Sequence, residues 1–386
     1  MSERKRDYED AFARFIGADA AFTFWKGRVA LYALLRALDV GKDDEVIMPG
    51  YTCVMDVNPV MYVGAKPVYV DIEPITYNLD PALLETAITP RTRVILAQHT
   101  YGYPAAMDEI MDIAGRHGIA VLEDCCLALG STYKGKIVGT FGRAAYFSFQ
   151  WNKPYTSGLG GMATTSDESL ASRLRELCKN EMAPPSTAQA AMLAVQLAIY
   201  RMFIYPKTTA LAANVFRALT KLGLVVGSSG TQEYAPAMAA DFFRGMSTAQ
   251  VRAGARQLRR VARNLAHRRR MARLYDQLLC DAGWPRVEIP DHLDPVLVRY
   301  PIRVADKKRA LERAAKHLVE LGSWFECPLH PIETPLEVYG YRAGMCPIAE
   351  RASREVVNLP VHPRANERTA RRTVDFITTI GPAEGS

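Results

Sequence analysis

One lysine and one aspartate carry most of the chemical information in this 386-residue chain. Asp124 ends an apolar run, Ala120–Leu122 followed by Glu123, that reads as a buried strand. A carboxylate at such a strand end is costly to bury unless a cation sits beside it. Lys153 follows 29 residues later, in the run Phe147-Ser148-Phe149-Gln150-Trp151-Asn152-Lys153 that leaves a second strand. Strand ends of one parallel sheet share a crevice. An amine and a carboxylate held together there meet the needs of pyridoxal phosphate. The amine condenses with the aldehyde, and the carboxylate keeps the pyridine nitrogen protonated so that the ring accepts electrons. A phosphate needs N–H groups at a helix start and a hydroxyl; Gly27-Arg28 and Ser148 offer both. Alone, an Asp at a strand end is ordinarily a turn or cap residue, and a Lys in a loop is ordinarily solvated. The Gly-rich stretch Ser157–Gly161 is weak evidence by itself. The weight comes from all of these appearing in order in one sheet.

The elements that must position these residues are legible from the pattern. Short apolar runs at Val46–Met48, Pro67–Val70, Val94–Ala97, Ala120–Leu122 and Ala144–Phe149 read as strands. Helical stretches alternate with them at Arg28–Leu38, Thr52–Val63, Pro81–Thr89 and Met107–His117. That alternation predicts an α/β fold with a mostly parallel, doubly wound sheet. Gly130–Gly142 reads as a hairpin turning at Lys134-Gly135-Lys136. A long helix is expected over about 248–280, with Arg252, Arg256, Arg259, Arg260 and Arg263 on one solvated face. The expected organisation is a large domain over 1–250 and a smaller α+β domain over 251–386. An extra apolar helical segment, 181–241, interrupts the first.

Composition limits the function classes. Hydrophobic residues at 49% and charged residues at 23% exclude wholesale disorder and a coiled coil. The net charge of +7 favours anionic small molecules, and nothing in the pattern argues for nucleic acid. Seven scattered cysteines, with no CxxC pair and no metal-ligand spacing, point to reduced thiols in the cytoplasm and to no metal. The first ten residues lack the apolar core of a signal peptide, and no run of about 20 uncharged apolar residues occurs.

The sequence resembles the DegT/StrS class of pyridoxal-phosphate sugar aminotransferases. The resemblance rests on Gly41–Pro49, Gly64–Asp71, Ala87–Thr92, His99-Thr100-Tyr101-Gly102, Glu123-Asp124, Thr132–Gly142, Phe147-Ser148-Phe149, Pro347–Arg351 and Leu359–Pro363. It implies fold type I of the pyridoxal-phosphate enzymes and a homodimer with shared active sites. It also implies transfer of an amino group from L-glutamate to a nucleotide-linked keto-sugar. By position, Lys153 would bind the aldehyde and shuttle the proton, and Asp124 would pair with the ring nitrogen. Ser148 and the Gly27-Arg28 backbone would hold the phosphate, and Arg244 would reach the neighbouring subunit's site. His99 and Tyr101 are carried as substrate-binding candidates.

The chain departs from the family pattern at four cofactor-pocket positions. Leu127 stands for a Gln or His near the ring hydroxyl, and Phe242 for an Asn that binds phosphate from the partner. Cys53 stands for an aromatic that covers the ring, and Arg28 for a Thr beside the phosphate. Two alternatives stay open at this level. Relatives that modify deoxysugars by another reaction replace the lysine, which Lys153 opposes. A degenerate homologue with a binding or regulatory role is favoured by Leu127 and Phe242. For residues 188–226 the readings are a cap or enlarged subunit interface, or contact with a membrane surface.

Overall fold

The protein is described here by a computed structural model over residues 3–151, 153–199, 237–285, 287–331 and 335–383. The strands of the first half are β1 (Ala20–Phe24), β2 (Glu45–Pro49), β3 (Thr52–Cys53), β4 (Lys66–Val70), β5 (Thr92–Gln98), β6 (Ala120–Asp124), β7 (Thr132–Tyr133), β8 (Lys136–Ile137), β9 (Ala144–Ser148) and β10 (Gly161–Thr165). Seven of them form one sheet in the order β1-β10-β9-β6-β5-β2-β4. β4, β2, β5, β6 and β9 are parallel, and β10 runs against both its neighbours. Alternate residues of each strand feed opposite faces. Val46, Met48, Val94, Leu96 and Leu122 enter one apolar cluster, whereas Ile47, Ile95, Ala97 and Val121 enter another. Burial on both faces is why these strands read as continuous apolar runs.

The helices of this half are α1 (Glu3–Ile16), α2 (Gly27–Ala37), α3 (Val54–Tyr62), α4 (Pro81–Ala87), α5 (Met107–His117), α6 (Glu168–Asn180) and α7 (Thr187–Ile199). The sequence reading assigns no helix before residue 28, and α1 corrects it. Charged residues dominate α1, but Tyr8, Phe12 and Ile16 recur every fourth position and are buried; Phe12 meets Phe147 at 5.1 Å. The hairpin is present as β7–β8, with Lys134 and Gly135 at φ +48° and +77°. Positive φ at both turn positions matches the twist of the strands.

The expected single helix over 248–280 is two helices, Thr248–Leu258 and Val261–Asp281. No Pro marks the break. Tertiary packing decides it, because the first piece lies on α1 with Gly254 against Tyr8 and the second on Glu367–Thr378. The arginines at 252, 256, 259, 260 and 263 are exposed, but they do not share one unbroken face. Of the segment 181–241, residues 200–236 lie outside the described residues.

The rest of the chain carries β11 (Leu293–Asp294), β12 (Tyr300–Arg303), β13 (Leu329–His330) and β14 (Val356–Leu359). β12 and β14 pair antiparallel, flanked by helices Lys307–Lys316, Pro347–Glu355 and Glu367–Thr378. Two ties join this part to the first half of the chain. β13 runs parallel to β3, with Leu329 opposite Thr52 and His330 opposite Cys53. Asp71, just past β4, accepts from the backbone N–H of Ile348 (2.8 Å) and Ala349 (2.9 Å). It thus caps a helix 277 residues away in sequence.

Candidate active site

The parallel strands bring their carboxyl ends to one edge, and four chain segments meet there. The first is the start of α2. Gly27 lies so close to the end of β9 that a Cβ on it would fall 2.8 Å from Ser148 Cβ. A Cβ on Gly161 would fall 2.4 Å from Lys26 O. Glycine at both positions lets the helix start, Ser148 and β10 close up into a cradle. α2 begins with no side-chain cap and no acidic residue in its first turn. Such a helix start is suited to an anion.

The second segment is the loop 149–160, closed by Phe149 N–H to Gly160 O (2.8 Å) and Ser157 N–H to Phe149 O (3.1 Å). Lys153 lies within it, its backbone N–H bonded to Gln150 O (3.1 Å). Trp151 and Leu159 of this loop pack with Trp25 against Leu193 and Leu197 of α7. α7 therefore braces the segments on either side of Lys153.

The third segment is β6 with the start of α3. Asp124 is buried, and its Oδ1 accepts from Cys126 N–H (2.8 Å). Facing it is an acid that the sequence reading missed. Asp56 accepts at Oδ1 from the Tyr146 hydroxyl (2.8 Å), and Tyr146 is the β9 partner of Asp124. Burial, reinforced by the charge of Asp124, pushes the Asp56 carboxyl up to about 8. The Tyr146 hydroxyl, Lys153 and Arg28 pull the other way. Cys53 shares the neighbourhood: burial and Asp56 push its thiol up to about 12, against Arg28 and Lys153.

The fourth segment is 324–330, delivered by the β13–β3 pairing. Lys153 Nζ lies 5.2 Å from the centroid of the Trp324 ring. His330 is beside Phe325 at 5.5 Å, and burial pushes its pKa down to about 4. No local sequence signal marks these residues, because long-range pairing alone brings them in. Asp56 did leave a signal, as the one charged residue in a largely apolar, buried helix.

This donor set fits pyridoxal phosphate. It has a lysine amine, a buried carboxylate on a neighbouring strand, and an uncapped helix start closed against a serine. Lys153 and Arg28 act electrostatically on both Asp56 and Cys53, Asp124 acts on Asp56, and Ser148 closes on Gly27.

Other candidates sit elsewhere. Leu127 is buried in the main apolar cluster and offers no hydrogen bond. Phe242 packs edge-on against Tyr32 (5.5 Å) and Tyr62 (5.0 Å), as a core residue of its own chain. Arg244 stacks over Trp25 at 5.4 Å, ion-pairs with Asp241 (3.1 Å) and bonds Gln189.

His99 and Tyr101, the substrate-binding candidates, are both engaged within the chain. The His99 ring is buried, accepting from Ala105 N–H at Nδ1 (2.9 Å) and donating from Nε2 to Glu123 (3.1 Å). Tyr101 is buried too, its hydroxyl bonded to that of Tyr51 (2.8 Å) and to Trp324 O (2.5 Å). His99, Glu123 and Cys125 bring their ligand atoms within 4.8 Å of one another. Glu123 is already engaged there by backbone amides and His99, which makes the cluster a scaffold.

Asp56 gives the cofactor-free protein a distinct pH dependence. Its carboxyl titrates near 8 when folded and near 4 when unfolded. Its stabilising protonation is therefore complete below about pH 4 and is lost as pH rises through about 8. Asp56→Asn keeps an acceptor for Tyr146 and removes the titration. Relative to wild type, the variant is expected to gain up to about 5 kcal/mol between pH 4 and pH 8. Urea unfolding at a series of pH values reads this directly, and a constant difference would contradict the assignment.

A profile of the DegT/DnrJ/EryC1/StrS aminotransferase family matches residues 1–202 and 207–378. GDP-perosamine synthase of Caulobacter vibrioides is 32% identical over 379 residues, 97% of this chain and 89% of the synthase. UDP-2-acetamido-2-deoxy-3-oxo-D-glucuronate aminotransferase of Pseudomonas aeruginosa is 45% identical over 175 residues, 45% of this chain and 49% of that enzyme. The X-ray structure of S. venezuelae DesV superposes with a TM-score of 0.73 at 27% identity, covering 98% of this chain and 89% of DesV.

Proposed function

This chain belongs to the DegT/DnrJ/EryC1/StrS aminotransferase family and is a pyridoxal-phosphate-dependent aminotransferase; we propose that it moves an amino group from L-glutamate to the keto group of a nucleotide-linked sugar, for a polysaccharide or a glycosylated metabolite. The observation that carries this reading is the meeting of Lys153, Asp124 and the Gly27–Ser148 cradle at one edge of the sheet. The relatives' own nucleotide-sugar names support the acceptor class.

When bound, pyridoxal phosphate supplies an electron sink for the carbanion left by Cα deprotonation. The chain's residues do the rest. The Lys153 amine takes the proton from Cα and returns it on the other side of the transfer. Asp124, one strand over, holds a proton on the ring nitrogen. The α2 start and Ser148 fix the phosphate and so the orientation of the ring. Trp324 and Cys53 limit water on the reacting side.

We extend the proposal to a homodimer and to the cytoplasm. α7 exposes Val195 and Ile199 on a face without lysine or arginine. Anionic lipid surfaces attract basic residues, so this face favours a second copy of the chain over a membrane. All seven cysteines are free, which suits a reducing compartment. Among the described residues no helix is long and apolar enough to cross a membrane.

The test is a half-reaction. Adding L-glutamate to the cofactor-loaded protein should bleach the visible band of lysine-bound cofactor, yield the pyridoxamine form and release 2-oxoglutarate. A GDP- or UDP-linked keto-sugar should then restore the band. A loaded protein whose spectrum glutamate, glutamine and alanine all leave unchanged would defeat the proposal and favour a binding role.

A further inference from the structure

Asp56 is a buried acid within electrostatic reach of Asp124, and the steps above do not use it. Its hydrogen-bond partners show which form it takes. The Gln98 amide nitrogen donates to Tyr51 O (2.9 Å) and to Thr100 Oγ1 (2.8 Å), which leaves Gln98 Oε1 as an acceptor. The Thr52 hydroxyl donates its single proton to that oxygen (2.6 Å). Thr52 Oγ1 also lies 3.5 Å from Asp56 Oδ2. With its proton committed to Gln98, it meets Asp56 as an acceptor, and a proton between the two oxygens has to come from the carboxyl. The other carboxyl oxygen, Oδ1, accepts from the Tyr146 hydroxyl (2.8 Å). One donor and one acceptor are the partners of a carboxylic acid, not of a carboxylate.

Asp124 has the opposite surroundings. Its Oδ1 accepts from Cys126 N–H (2.8 Å), which favours the ionised form. Two buried carboxyls acting on each other hold one proton between them, and these contacts put it on Asp56. The charged and titratable groups that face Asp56 come from five directions. They are Asp124 and Cys126 from the end of β6, Tyr146 from β9, Lys153 from its loop, Arg28 from α2 and Cys53 from the start of α3. Lys153 and Arg28 favour ionisation of Asp56; burial and Asp124 outweigh them and push its carboxyl up to about 8.

We propose that Asp56 carries the one proton of a carboxyl pair with Asp124 in the cofactor-free protein and gives it up when the protonated ring nitrogen docks, so that two carboxylates hold the nitrogen's charge. This rests on the cofactor reading, in which the ring nitrogen pairs with Asp124. Asp56 is then a positioning residue, acting on the ring beside Asp124. The step breaks the Asp56 O–H bond. The proton passes to the buffer when the nitrogen arrives charged, and forms the N–H bond when it arrives neutral. In both cases wild type ends with one proton fewer than a variant whose residue 56 cannot ionise.

The test counts that proton. Pyridoxamine phosphate is titrated calorimetrically into the cofactor-free, full-length chain in two buffers of different ionisation enthalpy, so that Lys153 forms no bond to the ligand. Asp56→Asn keeps an acceptor for Tyr146 and a donor toward Thr52, and has no proton to lose. At pH 7 wild type is expected to release about one proton more than Asp56→Asn. Its affinity relative to the variant then rises up to about tenfold per pH unit and levels off above about pH 8, where Asp56 is already ionised. The deaza analogue, with a carbon in place of the ring nitrogen, is expected to abolish both differences. Equal proton release by wild type and variant overturns the pair, as does a difference that persists with the deaza analogue. Should Asp56→Asn fail to fold, Asp56→Thr removes the same carboxyl. A wild type that binds no pyridoxamine phosphate overturns the pair together with the cofactor reading. Proton release as expected without any half-reaction leaves the pair standing and removes the aminotransferase, whereas a working half-reaction with equal release removes the pair alone.

Discussion

A Lys153→Ala variant is expected to fold like the wild type and to lose at least about ten-thousandfold in turnover. The two halves of that expectation have separate causes. The loop around Lys153 is closed by backbone bonds, Phe149 N–H to Gly160 O and Ser157 N–H to Phe149 O, which an alanine leaves intact. The ammonium sits over Trp324 and has no hydrogen bond to a described residue, so truncation should change stability by less than about 1 kcal/mol. The functional loss is larger because in the proposed reaction one atom, Nζ, both anchors the cofactor covalently and carries the proton. Borohydride reduction with pyridoxal phosphate should label the wild type irreversibly and leave the variant unlabelled. A variant that still turns over at a few per cent of the wild-type rate would remove Lys153 from both roles.

The second large effect falls one residue before Asp124 and has a different character. Glu123 is fully buried and receives four hydrogen bonds. Oε1 accepts from the N–H groups of Phe141 (2.7 Å) and Gly142 (2.8 Å). Oε2 accepts from Gly139 N–H (2.6 Å) and His99 Nε2 (3.1 Å). One carboxylate thus pins the end of the β7–β8 hairpin segment to β6 and fixes the His99 ring. Glu123→Ala leaves three amides and an imidazole N–H without a partner in the interior. The expected cost is about 3–5 kcal/mol, well above an ordinary surface change. Glu123→Gln should recover little of it, because one of its two arms becomes a donor facing donors. Denaturant unfolding measures this, and a loss under about 1 kcal/mol for Glu123→Ala would refute the pinning role. Adjacent acids on one strand are therefore expected to separate in assay, Asp124 in the chemistry and Glu123 in the stability.

The strands of the large sheet were legible because both of its faces are buried, which makes each strand a short apolar run between helices. Asp124, Ser148 and Lys153 were legible with them, since parallel topology sends every carboxyl end to the same edge. His99 became a substrate-binding candidate for a related reason. Its position after β5 suggests the crevice, and only the packed structure shows both ring nitrogens already engaged. The break at Arg259-Arg260 was hidden because neither residue disfavours a helix, and packing of the two halves on different partners produces it.

What the sequence determined by itself is local and periodic: apolar runs of strand length, a glycine where a helix start must touch a strand, and the order of Asp, Ser and Lys. What only tertiary structure decided is the far wall of the site. Trp324 and His330 reach Lys153 and Cys53 through the pairing of β13 with β3, segments far apart in the chain. Asp56 faces Asp124 because α3 leans on β9 through Tyr146. Such contacts arise from burial and hydrogen bonding between distant segments, and no spacing along the chain encodes them.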